Sequence, residues 1–451
     1  TISLDRNVIE RNREAVAELA ADPEWRLKFM SCPQIGDRLD SLAEKTAAGD
    51  ADAPKGSLTR GVAPFVLIAL TLGALVCCIF GVLPWMAFVV MVFIQLLTAT
   101  MTGGMTEKTA QNADSLDKES GKYMALLKVI EEKKFSSGLL RGLEEELFNE
   151  EKGCPAAFRE LAKILSLFEL RGNFITYLLF NGLFMYDVLL RRKFRKWMKT
   201  YAVHVRKWTD CTAEFDALVS LGTYAFNNPD NVCAEILGPD SETVIAATDI
   251  SHPFLPAQTA VPNSISLKKG EIAIITGANM AGKSTFLRTI GTSYVLAVNG
   301  APVRAASFAF MPVSLFSSMR TTDNLSADIS YFQAELLRLK QLLDHVRHSG
   351  YSLIILDEIL KGTNSADKLN GSILVLRELI KHRVSGLVAT HDLELAKLGE
   401  TESGHFTCRC FEIELADEIK YTYRMKEGIA RNMNATHLLK RILKEDDEER
   451  N

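Results

Sequence analysis

The clearest chemistry in this sequence is carried by Lys283 and the loop before it. Residues Ile274-Ile275-Thr276-Gly277-Ala278-Asn279-Met280-Ala281-Gly282-Lys283-Ser284-Thr285 read as a strand, a glycine-rich loop and the start of a helix. They fit the phosphate-binding pattern G-x-x-x-x-G-K-[ST]. Gly277 and Gly282 let backbone N–H groups close around a triphosphate, and the new helix points its positive end at the same phosphates. Lys283 is expected to neutralise the β/γ oxygens and Ser284 to hold Mg²⁺. The alternative, a tight glycine turn with a solvated lysine, fits poorly behind a strand as apolar as Glu271–Thr276.

Two further clusters extend this chemistry. The apolar run Leu353-Ile354-Ile355-Leu356 ends in Asp357-Glu358. A carboxylate at the end of a buried strand beside a phosphate loop is placed to serve Mg²⁺, and its neighbour to orient or deprotonate the attacking water. Gly386–Thr390 then delivers His391, which can hydrogen-bond the γ-phosphate or the water. An Asp-Glu pair is common and a lone histidine is usually structural. In this order and combination they predict ATP hydrolysis, with Glu358, His391 and Lys283 catalytic and Ser284 and Asp357 on the metal.

The elements that position these residues follow from periodicity. From about Asn227 onward, short apolar runs (Val244–Ala247, Ile272–Thr276, Leu353–Leu356, Gly386–Thr390, Phe411–Leu415) alternate with helical segments (Lys283–Val298, Leu325–Val346, Gly371–His382). That alternation indicates an α/β domain with a largely parallel sheet, here over residues 227–443. Upstream, Asp5–Met30, Glu107–Glu151 and Cys154–Leu221 carry helical patterns. Residues 1–60 are expected to hold the start of a helical core domain and a loose linker (Ala47–Ser57), 107–226 the rest of that helical domain, and 444–451 a solvated charged tail.

Residues 61–106 contain no charge. Pro64–Phe80 and Trp85–Met101 are about 17 residues each, the short end of what spans a bilayer core. Gly81-Val82-Leu83-Pro84 reads as a turn between them. With Lys55 and Arg60 before the run and Lys108 after it, the expectation is a two-span, multi-pass membrane hairpin with the ATPase domain cytoplasmic. A buried helical hairpin is the alternative. Phe174–Leu190 contains Asn181 and Asp187 and is expected to be a buried helix.

With 451 residues the chain can hold two or three domains, and its formal net charge of −4 supplies no global basic field to draw it to nucleic acid. A DNA contact needs a local patch. Arg191–Lys193 and Lys196–Lys207, with Phe194, Trp197 and Tyr201 interleaved, could touch phosphates or form the solvated face of a long helix. Eight cysteines without a C-x-x-C pair argue for reduced thiols and against zinc. The chain opens at Thr1 without an initiator methionine or signal peptide, as a fragment of something longer would.

Several motifs together resemble the MutS family. Thr276–Arg288 is similar to that family's phosphate loop, Asp357-Glu358-Ile359 through Gly362-Thr363-Asn364 to its Walker B and following loop, and Ala389-Thr390-His391-Asp392 to its histidine switch. Phe316–Glu335 resembles the stretch that reaches the opposing subunit's ATP, and the first 35 residues resemble the start of the helical core. The resemblance implies an ABC-type P-loop ATPase domain behind an all-α core/lever domain, with Gly277, Ala278, Asn279, Met280, Ala281, Gly282, Lys283, Ser284 and Thr285 around ATP and Mg²⁺. It also implies a homodimer with composite ATP sites, in which Ser330 faces the partner's nucleotide; Ser330 equally suits a helix N-cap. Asp328 stands where the family usually has glycine, Ala281 replaces a loop glycine, and Val261 occupies the place of an aromatic residue for adenine.

DNA binding and mismatch repair follow from the resemblance alone. The expected function is a membrane-anchored, dimeric, ATP-driven switch acting on DNA. Two alternatives remain at this stage: a nucleotide-switched membrane scaffold that binds a protein and no DNA, and the ATPase part of a transporter. The second is disfavoured by the absence of an L-S-G-G-Q run.

Overall fold

The computed structural model describes residues 3–33, 62–101, 107–148, 153–169, 174–319, 331–415 and 419–430. The chain forms two compact units, Thr1–Ala17 with Tyr224–Asn451, and Glu18–Thr223. Where one helix was expected over Asp5–Met30 there are two, α1 (Arg6–Ala20) and α2 (Pro23–Ser31). Pro23 cannot continue a helix but suits a first turn. Asp22 caps α2, its carboxylate accepting the Trp25 N–H at 3.0 Å. A hydrogen bond from Lys133 holds that carboxyl below the usual range.

The apolar run folds as α3 (Ala63–Ile79) and α4 (Trp85–Met101), joined through Gly81 at φ 71°. Each helix has 17 residues, about 25 Å at the helical rise, against a hydrocarbon core of about 30 Å. Among the described residues no helix is long and apolar enough to cross a membrane. The expected two-span anchor, and the membrane localisation built on it, are therefore overturned. Part of the surface that reads as lipid-facing is a packing surface instead. Thr71 and Gln95 are buried, and a Cβ added at Gly182 would lie 2.9 Å from Val92. Other apolar side chains of the pair, among them Phe65, Leu70, Val89 and Phe93, are exposed.

The helical unit continues with α5 (Glu107–Glu131), α6 (Gly138–Phe148), α7 (Cys154–Glu169), α8 (Phe174–Phe184) and α9 (Tyr186–Asn227). Its core is aromatic: Tyr123, Phe158, Trp197, Trp208 and Phe215 are fully buried, and the Trp197 indole donates to the Ala157 carbonyl at 2.7 Å. On α9, Trp197, Tyr201, Val205 and Trp208 form the buried face at helical spacing, while Lys193, Lys196, Lys199 and Arg206 are exposed. The run expected as one buried helix from Phe174 divides at Met185, whose φ is 47°. Ile175 and Leu179 are exposed, whereas Asn181 is buried and its carbonyl oxygen accepts the Asp187 N–H at 2.9 Å.

The α/β unit contains β1 (Glu235–Ile236), β2 (Thr243–Ile250), β3 (Asn263–Lys268), β4 (Ile272–Gly277), α10 (Lys283–Val298), β5 (Ser307–Phe310), β6 (Ser314–Ser318), α11 (Tyr331–His348), β7 (Ser352–Asp357), α12 (Ser365–Ile380), β8 (Val384–Ala389), α13 (Leu393–Ala396), α14 (Leu398–Thr401), β9 (Phe406–Leu415) and β10 (Ile419–Glu427). A four-stranded sheet has the order β1-β5-β2-β3, and a six-stranded sheet the order β10-β9-β4-β8-β7-β6. In the larger sheet all neighbours pair in parallel except β10 with β9. The first 17 residues belong here and not with a helical core over 1–60, because Ile9 is fully buried in this unit and Arg13 donates to the Ala234 carbonyl at 2.6 Å.

β4, β7 and β8 are almost wholly apolar because both of their faces are covered. With side chains alternating along each strand, Ala273, Ile275, Leu353, Ile355 and Leu387 pack with Phe286, Leu287 and Ile290 of α10. Ile272, Ile274, Ile354, Leu356 and Val388 pack with Leu342 and Val346 of α11 and Leu376 and Leu379 of α12. β8 lies between β4 and β7, so that Ile275, Ala389 and Asp357 share one rung. At Gly386 an added Cβ would lie 2.6 Å from the Ile354 carbonyl oxygen of β7. Gly386→Ala is therefore expected to destabilise the α/β unit by about 1–3 kcal/mol through overpacking. Thermal or urea unfolding of wild type and variant side by side checks this, and an unchanged midpoint contradicts it.

Candidate functional site

Asp357 ends β7, Glu358 and His391 follow one and two positions beyond buried strand ends, and Lys283 opens the helix after β4. β4 ends at Gly277, with φ 144° and no room for a Cβ, which would meet the Phe411 carbonyl oxygen at 2.5 Å. The loop then passes through Met280 (φ 64°) to Gly282 (φ 114°), the N-cap of α10. Met280 thus takes the left-handed turn, and Ala281, in place of a loop glycine, needs no positive φ. The first N–H groups of α10 have no partner within the helix and open onto the loop.

Lys283 is buried at the start of α10. Its ammonium donates to the carbonyls of Gly277 and Ala278, both at 2.8 Å, and reaches Nδ1 of His391 at 3.2 Å. Burial pushes this ammonium down to about 8, although Glu358 and Asp357 pull it back up. From the other side, Nε2 of His391 meets a Glu358 carboxylate oxygen at 2.5 Å. The imidazole of His391 thus stands between Lys283 and Glu358, with its Nδ1 also 3.2 Å from the Gly277 carbonyl oxygen. Burial alone would raise the Glu358 carboxyl; the hydrogen bond and charge of His391, with Lys361 and Lys368, outweigh it and hold it at about 2.

The backbone fixes these positions. The Glu358 N–H bonds the Ala389 carbonyl and the Thr390 N–H bonds the Ile275 carbonyl, both at 3.0 Å, which extends the sheet one step past each strand end. Glu358 and Leu360 adopt φ 61° and 57°, turning the chain sharply after Asp357. Asn364 caps α12, accepting the Asp367 N–H at 2.9 Å.

Asn279, Met280, Gly282, Lys283, Ser284, Thr285, Asp357, Glu358 and His391 line one cleft of about 670 Å³, joined by Lys361 and Tyr423. Gly277, Ala278 and Ala281 form the wall behind it. Val261 lies instead in an adjoining cavity of about 350 Å³ with His252, Asn263, Phe286 and Phe411; Tyr423 borders both spaces. Ser330 and Asp328 lie outside the described residues. Tyr423 escapes sequence reasoning. It sits on β10, at φ 53°, in the irregular part of the β9–β10 register. The Asn263 amide donates to its carbonyl at 3.0 Å, and its ring stacks on Tyr421.

The oxygens present suit magnesium. Ser284 and Asp357 offer one hydroxyl and one carboxylate to the same cleft. Among the described residues no group of three or more histidines, cysteines or carboxylates could hold a metal alone. Magnesium bound with phosphates takes few protein ligands and keeps waters, which this donor set fits.

The site is of the class in which a glycine-bounded loop, a lysine and a strand-end carboxylate face one cleft at the C-terminal edge of a parallel sheet. Residues 273–440 match MutS domain V. The chain is 29% identical over 237 residues to DNA mismatch repair protein spellchecker 1 of Drosophila melanogaster, covering 51% of this chain and 26% of that protein. It is 33% identical over 240 residues to DNA mismatch repair protein MutS of Desulfatibacillum aliphaticivorans, covering 50% of this chain and 25% of that protein. The chain spans about a quarter of the length of these relatives.

The histidine bridge makes a direct prediction. In His391→Ala the Glu358 carboxyl loses its strongest downward influence and should titrate above its present value of about 2. A pH titration of the Glu358 carboxyl carbon by NMR reads this. A midpoint that stays in place would assign the depression to the lysines.

Proposed function

We propose that the α/β unit is an ABC-type P-loop ATPase domain, and that the chain is a MutS-like, ATP-driven switch working as a homodimer on DNA in mismatch repair or a related process. The observation that carries this reading is the convergence of Lys283, Asp357, Glu358 and His391 on one cleft beyond the C-terminal ends of parallel strands, where open α/β sheets bind ligands. The match of residues 273–440 to MutS domain V and the mismatch-repair names of the similar proteins support the cellular role.

In this reading the first N–H groups of α10 and the Lys283 ammonium bind the β- and γ-phosphates of ATP. Ser284 and Asp357 would hold magnesium, which would supply positive charge beside the phosphates. Lys283 exchanges His391 for phosphate but keeps its two loop carbonyls. The imidazole turns to the γ-phosphate, and Lys361 and Lys368 are drawn the same way. Glu358, relieved of the groups that hold it at about 2, becomes basic enough to orient a water and take its proton. The water oxygen bonds to the γ-phosphorus as the bond to the ADP oxygen breaks. The adenine occupies the adjoining cavity, where Val261 gives apolar contact and Tyr423 supplies the aromatic face that Val261 lacks. A second copy completes each site through Ser330, closing on ATP and reopening after hydrolysis.

Two measurements check this function. Lys283→Ala should lose nucleotide binding, whereas Glu358→Gln should bind Mg·ATP with near-native affinity and turn over about 10²–10⁴-fold more slowly; wild-type turnover in the second variant removes Glu358 from its role. Duplex binding measured from low to high salt, with and without ATP, tests the DNA assignment. A log–log slope set by several phosphate contacts is expected, and no binding even at low salt would point to a nucleotide-switched protein scaffold.

A further inference from the structure

A buried carboxylate behind the turn that carries Glu358 has no part in the chemistry above. Glu335, in the second turn of α11, is 7% exposed. Both of its oxygens accept backbone N–H groups from the loop after β7: Oε1 from Lys361 at 3.1 Å and Oε2 from Gly362 at 3.0 Å. The loop it holds is the one that turns through positive φ at Glu358 and Leu360, a conformation that L side chains rarely adopt and that persists only where the surroundings hold it.

Apolar packing secures the turn through Ile359 and Leu360, which are buried in the core shared with Leu342 of α11 and Leu376 of α12, and a Cβ at Gly371 would meet Leu360. Toward α11 the turn faces a small cavity of about 30 Å³, bordered by Glu335, Arg338, Leu339, Asp357, Glu358 and Lys361. Beside this space the two hydrogen bonds from Glu335 add a direct polar tie between loop and helix to the apolar packing of Ile359 and Leu360. The chemistry of the pair is matched: a carboxylate offers acceptors only, and two successive N–H groups offer donors only.

We propose that Glu335 is a positioning residue, gripping the Lys361 and Gly362 amides so that the turn aims the Glu358 carboxylate into the cleft. The role rests on the ATPase reading. It also makes the placement of α11 a determinant of turnover, because a shift of that helix moves Glu358 while Lys283 and the phosphate loop stay on β4 and α10. The grip therefore governs the catalytic step and not nucleotide affinity.

The test compares Glu335→Gln and Glu335→Asp with wild type in the full chain. Glutamine keeps the size but offers one acceptor and sets an amide donor against the second N–H; aspartate is shorter but keeps both acceptors. Hydrogen–deuterium exchange is measured over residues 358–362 without nucleotide, and steady-state Mg·ATP turnover is measured beside it. Glu335→Gln should speed exchange of the Lys361 and Gly362 amides at least tenfold and lower kcat on the order of ten- to a hundredfold, with KM and melting temperature little changed. Glu335→Asp should retain more of both properties. The proposal is overturned if Glu335→Gln keeps wild-type kcat and exchange, if the order of the two variants is reversed, as side-chain volume alone would require, or if ATP affinity falls in step with kcat. Absence of turnover in wild type would sink the ATPase reading instead, and the exchange comparison would still decide whether the grip exists.

Discussion

The parallel pairing of β8 between β4 and β7 is the constraint from which the rest of the site follows. It sets Ile275, Ala389 and Asp357 on one rung. Three segments distant in sequence therefore leave the sheet at the same level and on the same edge. The strands can sit at the centre of the unit because nearly every residue along them is apolar and covered on both faces. Polar chemistry begins at the rung with Asp357 and continues past it with Glu358 and His391. A slip of one residue between any two of these strands would reverse their faces and separate the groups.

Beyond the rung, the site is organised by opposed electrostatic demands. Burial disfavours the charge on both Lys283 and Glu358. The imidazole of His391 lies between them, 3.2 Å from the lysine and 2.5 Å from the glutamate, and two further lysines approach Glu358. The resulting pair, a lysine lowered to about 8 and a glutamate held at about 2, forms a self-satisfied network. In the proposed function a triphosphate would enter such a network by competing for the cations that serve Glu358 and the loop carbonyls.

What the sequence discloses of this site and what it conceals divide along physical lines. The glycine loop, the Asp357-Glu358 pair and His391 are legible because each carries its chemistry next to an apolar strand with a period of its own. Tyr423 is not, since it comes from an edge strand whose register is irregular and reaches the cleft only through the fold. Lys361, Lys368 and Glu335 are equally silent: a lysine or glutamate on a helix pattern reads as a solvated face until the turn after β7 is seen to bend toward it. The break at Pro23 is visible in the sequence, yet a pattern of apolar residues running through Asp5–Met30 conceals it. The hairpin over 61–106 shows the opposite error. Absence of charge was read as a lipid-facing surface, whereas helix length and the burial of Thr71 and Gln95 decide otherwise.

The division into two units also has a physical basis that composition does not reveal. A short N-terminal segment joins the α/β unit because Ile9 fills its core, while the helical unit builds its own core from tryptophans, tyrosines and phenylalanines. The central claim, that a triphosphate takes over the contacts His391 makes between Lys283 and Glu358, is tested most directly by the ring ¹⁵N shifts of His391 as Mg·ATP is titrated into the whole chain. The account predicts that both ring nitrogens move together and saturate with bound nucleotide. Ring shifts that stay fixed at saturating Mg·ATP would contradict it.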